Sequence, residues 1–100
     1  MKTGAKRENL EQELRKCIYD LSTTRDDKQK VFDSLLMRGY SGGDIQKILN
    51  NNTPLEFLDL IDLGVLADVI FKVTDQEVVN PERYYTEPEL KLIADYKENI

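Results

Sequence analysis

Histidine and tryptophan are absent from this chain, cysteine occurs once, and its 100 residues include only three prolines and five glycines. Without histidine, Ser/His and Cys/His nucleophilic pairs and imidazole metal sites are excluded. A single cysteine excludes an intramolecular disulfide and an all-thiolate zinc site. Carboxylate, lysine and tyrosine are the only catalytic chemistries left, so the expectation is that the chain is not an enzyme and carries no cofactor or metal. No run approaches the ~18 apolar residues of a membrane-crossing helix, and the opening Lys2, Lys6, Arg7 and Glu8 interrupt any secretory apolar region. A cytoplasmic location follows as the default expectation, with neither a membrane nor a small-molecule substrate as partner.

What is present is charge and helical periodicity. With 40% hydrophobic and 33% charged residues the composition is that of a folded globular protein, and its length is that of one domain, residues 1–100. Residues 80–100 read either as part of that domain, as a C-terminal extension, or as the start of a longer protein. The net charge of −5 is unevenly spread: residues 1–50 hold ten Lys/Arg against eight Asp/Glu, residues 51–100 four against eleven. A polyanion would have to approach the first half.

The expected fold class is all-α, a compact bundle of about five to six short helices. Leu10, Leu14, Cys17, Ile18 and Leu21 recur with a 3.6-residue period and predict a helix over Ala5–Leu21, which makes Cys17 a small buried hydrophobe. Ser22-Thr23-Thr24 ends it and caps a second helix with Asp26 and Asp27 in its first turn, its buried stripe being Val31, Phe32, Leu35 and Leu36. Gly39 reads as a left-handed C′ residue with Tyr40 folding back, and Ser41 with Asp44 caps a third helix bearing Ile45, Ile48 and Leu49.

Thr53-Pro54-Leu55-Glu56 combines an N-cap, a proline at N1 and a capping-box acid, and predicts a fourth helix to about Leu63. On it Leu55, Phe57, Leu58, Leu60, Ile61 and Leu63 cover most of the circumference and leave Glu56, Asp59 and Asp62 as a narrow acidic ridge. Residues 64–73 fit a further helix better than a lone strand Val69–Val73. Asn80-Pro81 breaks the chain, residues 81–85 form one turn, and Thr86 with Glu89 caps a last helix carrying Leu90, Ile93 and Ala94 towards the C-terminus.

Leu35, Gly39, Ser41, Ile45 and Leu49, the polar turn Asn50–Asn52 and a helix opening at Thr53 resemble the spacing of helix-turn-helix DNA-binding proteins around residues 31–63. That resemblance implies residues 45–50 as the positioning helix and Pro54–Leu63 as the recognition helix. The shorter run Leu36-Met37-Arg38-Gly39-Tyr40-Ser41 followed by Ile45 and Leu49 resembles a helical unit of RecX-type recombination regulators over fewer than twenty residues, a span too short to define a family.

Chemistry opposes the literal DNA reading, because a recognition helix exposing Glu56, Asp59 and Asp62, with no cation between Lys47 and Lys72, repels phosphate. Nucleic acid would instead meet Lys6, Arg7, Arg15, Lys16, Arg25, Lys28, Lys30, Arg38 and Lys47. The functional expectation is therefore a protein-protein interaction or regulatory module, an adaptor, inhibitor or assembly factor, binding another protein or its own copy. The expected contacts are Phe57, Asp59, Leu60 and Asp62 on the fourth helix and Arg83, Tyr84 and Tyr85, residue types common at interface hot spots. The alternatives are a helix-turn-helix transcriptional regulator and an acidic nucleic-acid mimic that inhibits a DNA-binding protein. Clusters of Asp59, Asp62 and Asp68, or Asp26 with Asp27, read as solvated helix faces and caps rather than cation sites.

Overall fold

The computed structural model describes the backbone of residues 2–21 and 23–96 and the side chains of residues 6–21 and 23–96. These residues form five α-helices and no strand: α1 Lys2–Leu21, α2 Arg25–Met37, α3 Gly42–Leu49, α4 Leu60–Thr74 and α5 Glu87–Asp95, with 3₁₀ turns at Glu77–Val79 and Pro81–Arg83 between α4 and α5.

Helix α4 is the axis of the bundle, packed against α1, α2, α5 and both 3₁₀ turns. Its sequence explains the position, because Leu63, Gly64, Val65, Leu66, Ala67, Val69 and Ile70 are all buried and only Asp68 interrupts them. A helix apolar on every side must be covered on every side. The partners supply Leu10, Leu14, Cys17, Ile18 and Leu21 from α1 and Val31 and Leu35 from α2. Each leucine, isoleucine or valine among them removed from water contributes about 1.5–3 kcal/mol.

Gly64 allows the closest approach. A methyl group placed there would lie 2.9 Å from Cγ1 of Ile93 and 2.9 Å from Cζ of Tyr85, and closer still to Cδ1 of Ile93. The missing Cβ is thus what seats α5 and the Tyr85 ring on α4.

The α2–α3 joint follows local chemistry as expected. Gly39 has φ 94°, its N–H donates to the Leu36 carbonyl at 3.0 Å, and the Tyr40 N–H donates to the Leu35 carbonyl at 3.2 Å, the paired bonds of a Schellman ending. Ser41 Oγ then accepts from the Asp44 N–H at 3.1 Å and opens α3.

Several expectations change. The helix predicted over residues 54–63 does not form: residues 51–58 are turns, and α4 begins at Leu60 and runs without a break through the segment that could have been a strand. Its N-cap is Asp59, whose Oδ1 accepts from the Asp62 N–H at 2.8 Å while Asp62 Oδ2 faces the Asp59 N–H at 3.4 Å. The supposed acidic ridge is, in two of its three members, this capping box. The recognition helix of the helix-turn-helix alignment is therefore absent as drawn, although the second half of α2, all of α3 and the first turn of α4 do fall in residues 31–63.

Helix α2 starts after Thr24, whose hydroxyl accepts no capping bond among the described residues. Leu36 and Ala94 are exposed rather than buried, because the stripes of these short helices are narrower than the periodicity suggested. Helix α5 stops at Asp95, and the remainder of its expected run, residues 97–100, lies outside the described residues.

Candidate functional site

Ionic contacts divide the molecule's cations into those that build the fold and those that do not. Arg38, at the end of α2, donates to Asp68 Oδ2 of α4 at 3.0 Å and to the Ile93 carbonyl of α5 at 3.1 Å, and both Arg38 and Asp68 side chains are 16% exposed. Asp68 also receives Lys72 at 3.2 Å. Arg7 donates to Glu11 and to the Leu55 carbonyl, each at 2.9 Å, and Arg15 donates to the carbonyls of Asn51 at 2.7 Å and Thr53 at 3.1 Å. Two arginines of α1 thereby hold the turn segment 51–58 in place, satisfying the Asn51 carbonyl as well as those of Thr53 and Leu55, which the expected helix would have bonded internally. Lys6 reaches Glu89 at 3.2 Å and lies 4.5 Å above the centre of the Tyr85 ring, clasping the N-terminal end of α1 to α5. The Thr86 N–H and Lys6 together hold the Glu89 carboxyl below its usual range.

Tyr40, Tyr84 and Tyr85 are likewise committed to structure. Tyr85 is 6% exposed and donates its hydroxyl to the Leu60 carbonyl. Burial, with Glu89 and Asp59 nearby, raises its phenol well above the ordinary range. Tyr84 is half-buried, its hydroxyl 3.5 Å from the Val78 carbonyl. Tyr40 donates to Asp62 Oδ1 at 2.6 Å, and its ring centre lies 5.8 Å from that of Tyr96. Burial and then the Asp62 bond raise the Tyr40 phenol. Burial opposes ionisation of Asp62, but bonds from Tyr40, Tyr96 and the Asp59 backbone outweigh it and hold this carboxyl below its usual value.

The residues expected to meet a partner are thus dispersed. The structure brings Asp59 to Asp62 and Leu60 to Tyr85, and these four serve the cap and the core. Phe57, 46% exposed at the tip of the turn segment, and Arg83 remain on the surface. Of the cations proposed for nucleic acid, Lys6, Arg7, Arg15 and Arg38 are drawn into internal contacts. Lys16 lies 3.9 Å from Glu13, and Arg25, Lys28, Lys30 and Lys47 stay exposed.

The concave feature of interest lies elsewhere, where the end of α1, the start of α2 and the end of α3 converge on a groove of about 720 Å³. Arg25, Lys28, Gln29 and Phe32 fall at i, i+3, i+4 and i+7, so one face of α2 forms a wall. Ile18 contributes from α1, and Gln46, Leu49, Asn50 and Asn51 close the far side. Ile18 and Leu49 are buried and Phe32 is half-buried, so the floor is apolar while the rim is cationic and amide-bearing. Among the described residues no carboxylate lines it. A smaller hollow of about 420 Å³, lined by Arg15, Lys16, Tyr19, Asp20 and Asn51, adjoins it through Asn51.

Sequence reasoning placed Phe32 in the core and scattered Arg25 and Lys28 among solvated cations. The signal that would have joined them is the i, i+3, i+4, i+7 spacing, read on the side of α2 opposite Asp27. The amides of Gln46, Asn50 and Asn51 carried no such signal, because only folding brings α3 alongside α2.

Among the described residues no three carboxylate or thiol side chains gather as a metal site. Cys17 is 2% exposed, its thiol lies 3.2 Å from Gln76 Oε1, and burial pushes its pKa up to about 11, which suppresses the nucleophilic thiolate. No described helix is long and apolar enough to cross a membrane. No protein-family model matches the chain, and no curated protein and no solved structure matches it.

Proposed function

We propose that this chain is a non-enzymatic protein-binding module whose contact surface is the α1–α2–α3 groove. The observation that carries the reading is the groove itself: an apolar floor with a rim of cations and amides and, among the described residues, no carboxylate, in a chain of net charge −5. Its volume of about 720 Å³ suits a few side chains of a partner. Arginine and phenylalanine are residue types enriched at interfaces, and amides at the edge offer bonds to a partner backbone. The contacts expected from sequence, Phe57, Asp59, Leu60 and Asp62 with Arg83, Tyr84 and Tyr85, give way to this surface because Tyr85, Leu60 and Asp62 are occupied in holding α4 and its neighbours together.

The test is site-specific photo-crosslinking in cell extract, with the probe at Gln29 inside the groove and, separately, at the 84% exposed Met37. A stoichiometric protein adduct formed from position 29 but not from 37, insensitive to nuclease and diminished by Phe32→Ala, is the expected result. Adducts with nucleic acid, or equal adducts from both positions, refute the assignment.

A further inference from the structure

The groove's chemistry says what kind of segment would enter it. Among the described residues Arg25 and Lys28 form no ion pair, whereas Lys6, Arg7, Lys16, Arg38 and Lys72 all have carboxylate partners. The two cations stand one turn apart on the wall, and none of the acids nearest in sequence is among the described residues that line it. At about 100° per residue, Asp27 falls on the side of α2 away from Arg25 and Phe32, and Asp26 lies on a flank. Asp33 accepts from the Gln29 side-chain amide at 3.0 Å, at the edge of the wall. A local concentration of positive charge is thus held over the apolar side chains of Phe32 and Leu49, and the fold itself does not use it.

Resting on the protein-binding reading, we propose that the occupant is an acidic segment of a partner protein in which a bulky apolar side chain is flanked by carboxylates. The apolar group lies on Phe32 and Leu49, the carboxylates meet Arg25 and Lys28, and the Gln29 and Gln46 amides face the segment's backbone. Charge-assisted bonds to arginine are the stronger kind and set orientation, while burial of the apolar anchor supplies most of the affinity. A nucleic-acid strand fits less well. It needs cations in series to follow successive phosphates, but the neighbouring Arg15 is bonded to backbone carbonyls, and the buried part of the floor is aliphatic rather than a stacking platform.

The experiment is selection of a randomised linear peptide library, displayed on phage, against the immobilised full chain. Affinities of the selected peptides are then measured for the wild type and for an Arg25→Glu/Lys28→Glu double variant. Both positions are exposed, and circular dichroism verifies that the variant remains folded. The expected result is a consensus of Asp/Glu around one large apolar residue, with binding weakened about tenfold or more in the double variant and falling as salt rises.

A basic or uncharged consensus, no enrichment, or equal affinity for both proteins overturns the proposal. So does stronger competition by a single-stranded DNA oligonucleotide than by a peptide of the same charge. If position 29 crosslinks to a protein while the selection fails, the acidic-segment assignment falls and the protein-binding reading stands. Failure of both removes the groove as an interface.

Discussion

Two four-residue stretches that start six residues apart carry nearly the same local instruction, and only one obeys it. Thr53-Pro54-Leu55-Glu56 and Asp59-Leu60-Ile61-Asp62 each place a capping oxygen three residues before an acid at the head of an apolar run. In the second the reciprocal bonds form and α4 follows. In the first the chain turns instead. The Leu55 carbonyl accepts from the Leu58 N–H at 3.1 Å and from Arg7 at 2.9 Å, and the Thr53 and Asn51 carbonyls are taken by Arg15. The turn buries Leu55 and Leu58 while leaving Phe57 out. A capping motif therefore marks a place where a helix can begin. Whether it does depends on which neighbours compete for the same carbonyls and which start delivers the longer apolar segment to the core.

The largest expected effect lies in α4. Helix propensity alone says that Gly64→Ala should stabilise by about 1 kcal/mol. The contact with Ile93 and Tyr85 reverses the sign, and a net loss of about 2 kcal/mol is expected, measured by urea unfolding with the slope unchanged. A gain would mean that α5 does not sit as closely as described. Next, Arg15→Ala releases two carbonyls of the turn segment and is expected to cost about 1.5 kcal/mol. Faster amide exchange confined to residues 51–58 would show that the arginine, rather than local propensity, shapes this stretch.

The sharpest form of the comparison is a pair of cap deletions. Asp59→Ala should cost about 1 kcal/mol, whereas Thr53→Ala, at a cap that opens no helix, should stay within about 0.5 kcal/mol. Equal losses would undo the distinction between the two motifs.

The smallest effect is in pH dependence. The folded-state pKa of Asp62 is depressed, so its contribution is fully present above the ordinary carboxylate value of about 4 and is lost as pH falls through the lower folded value. Tyr40→Phe removes one bond responsible, and the variant is expected to lose less stability over that acid interval than the wild type. Identical acid slopes would detach Tyr40 from the ionisation of Asp62. At the alkaline end the raised Tyr40 phenol acts in the opposite direction, its contribution present below the ordinary tyrosine value of about 10 and lost as pH rises beyond it.

Legibility of the site was poorer than that of the helices. Arg25, Lys28, Gln29 and Phe32 share a face that helical periodicity alone could have revealed, yet nothing local shows that Gln46 and Asn50 of another helix complete a groove with them. Conversely, Asp59, Asp62 and Tyr85 looked like exposed recognition groups because a sequence shows that a residue is polar or aromatic without showing which internal partner satisfies it.

The sequence by itself determined the all-α class, the end of α1 at Leu21 though not its start three residues before the expected Ala5, the Schellman turn at Gly39, the Ser41 cap and the Thr86/Glu89 start of α5. These are short-range matters of dihedral preference, capping and 3.6-residue periodicity, settled within a few residues. Tertiary structure decided where α4 begins, why its Gly64 is required, which cations are spent on backbone carbonyls, and that a groove with no carboxylate among its described lining residues opens between α1, α2 and α3. Those outcomes depend on contacts between residues far apart in the chain, where a donor such as Arg15 meets a carbonyl more than thirty residues away.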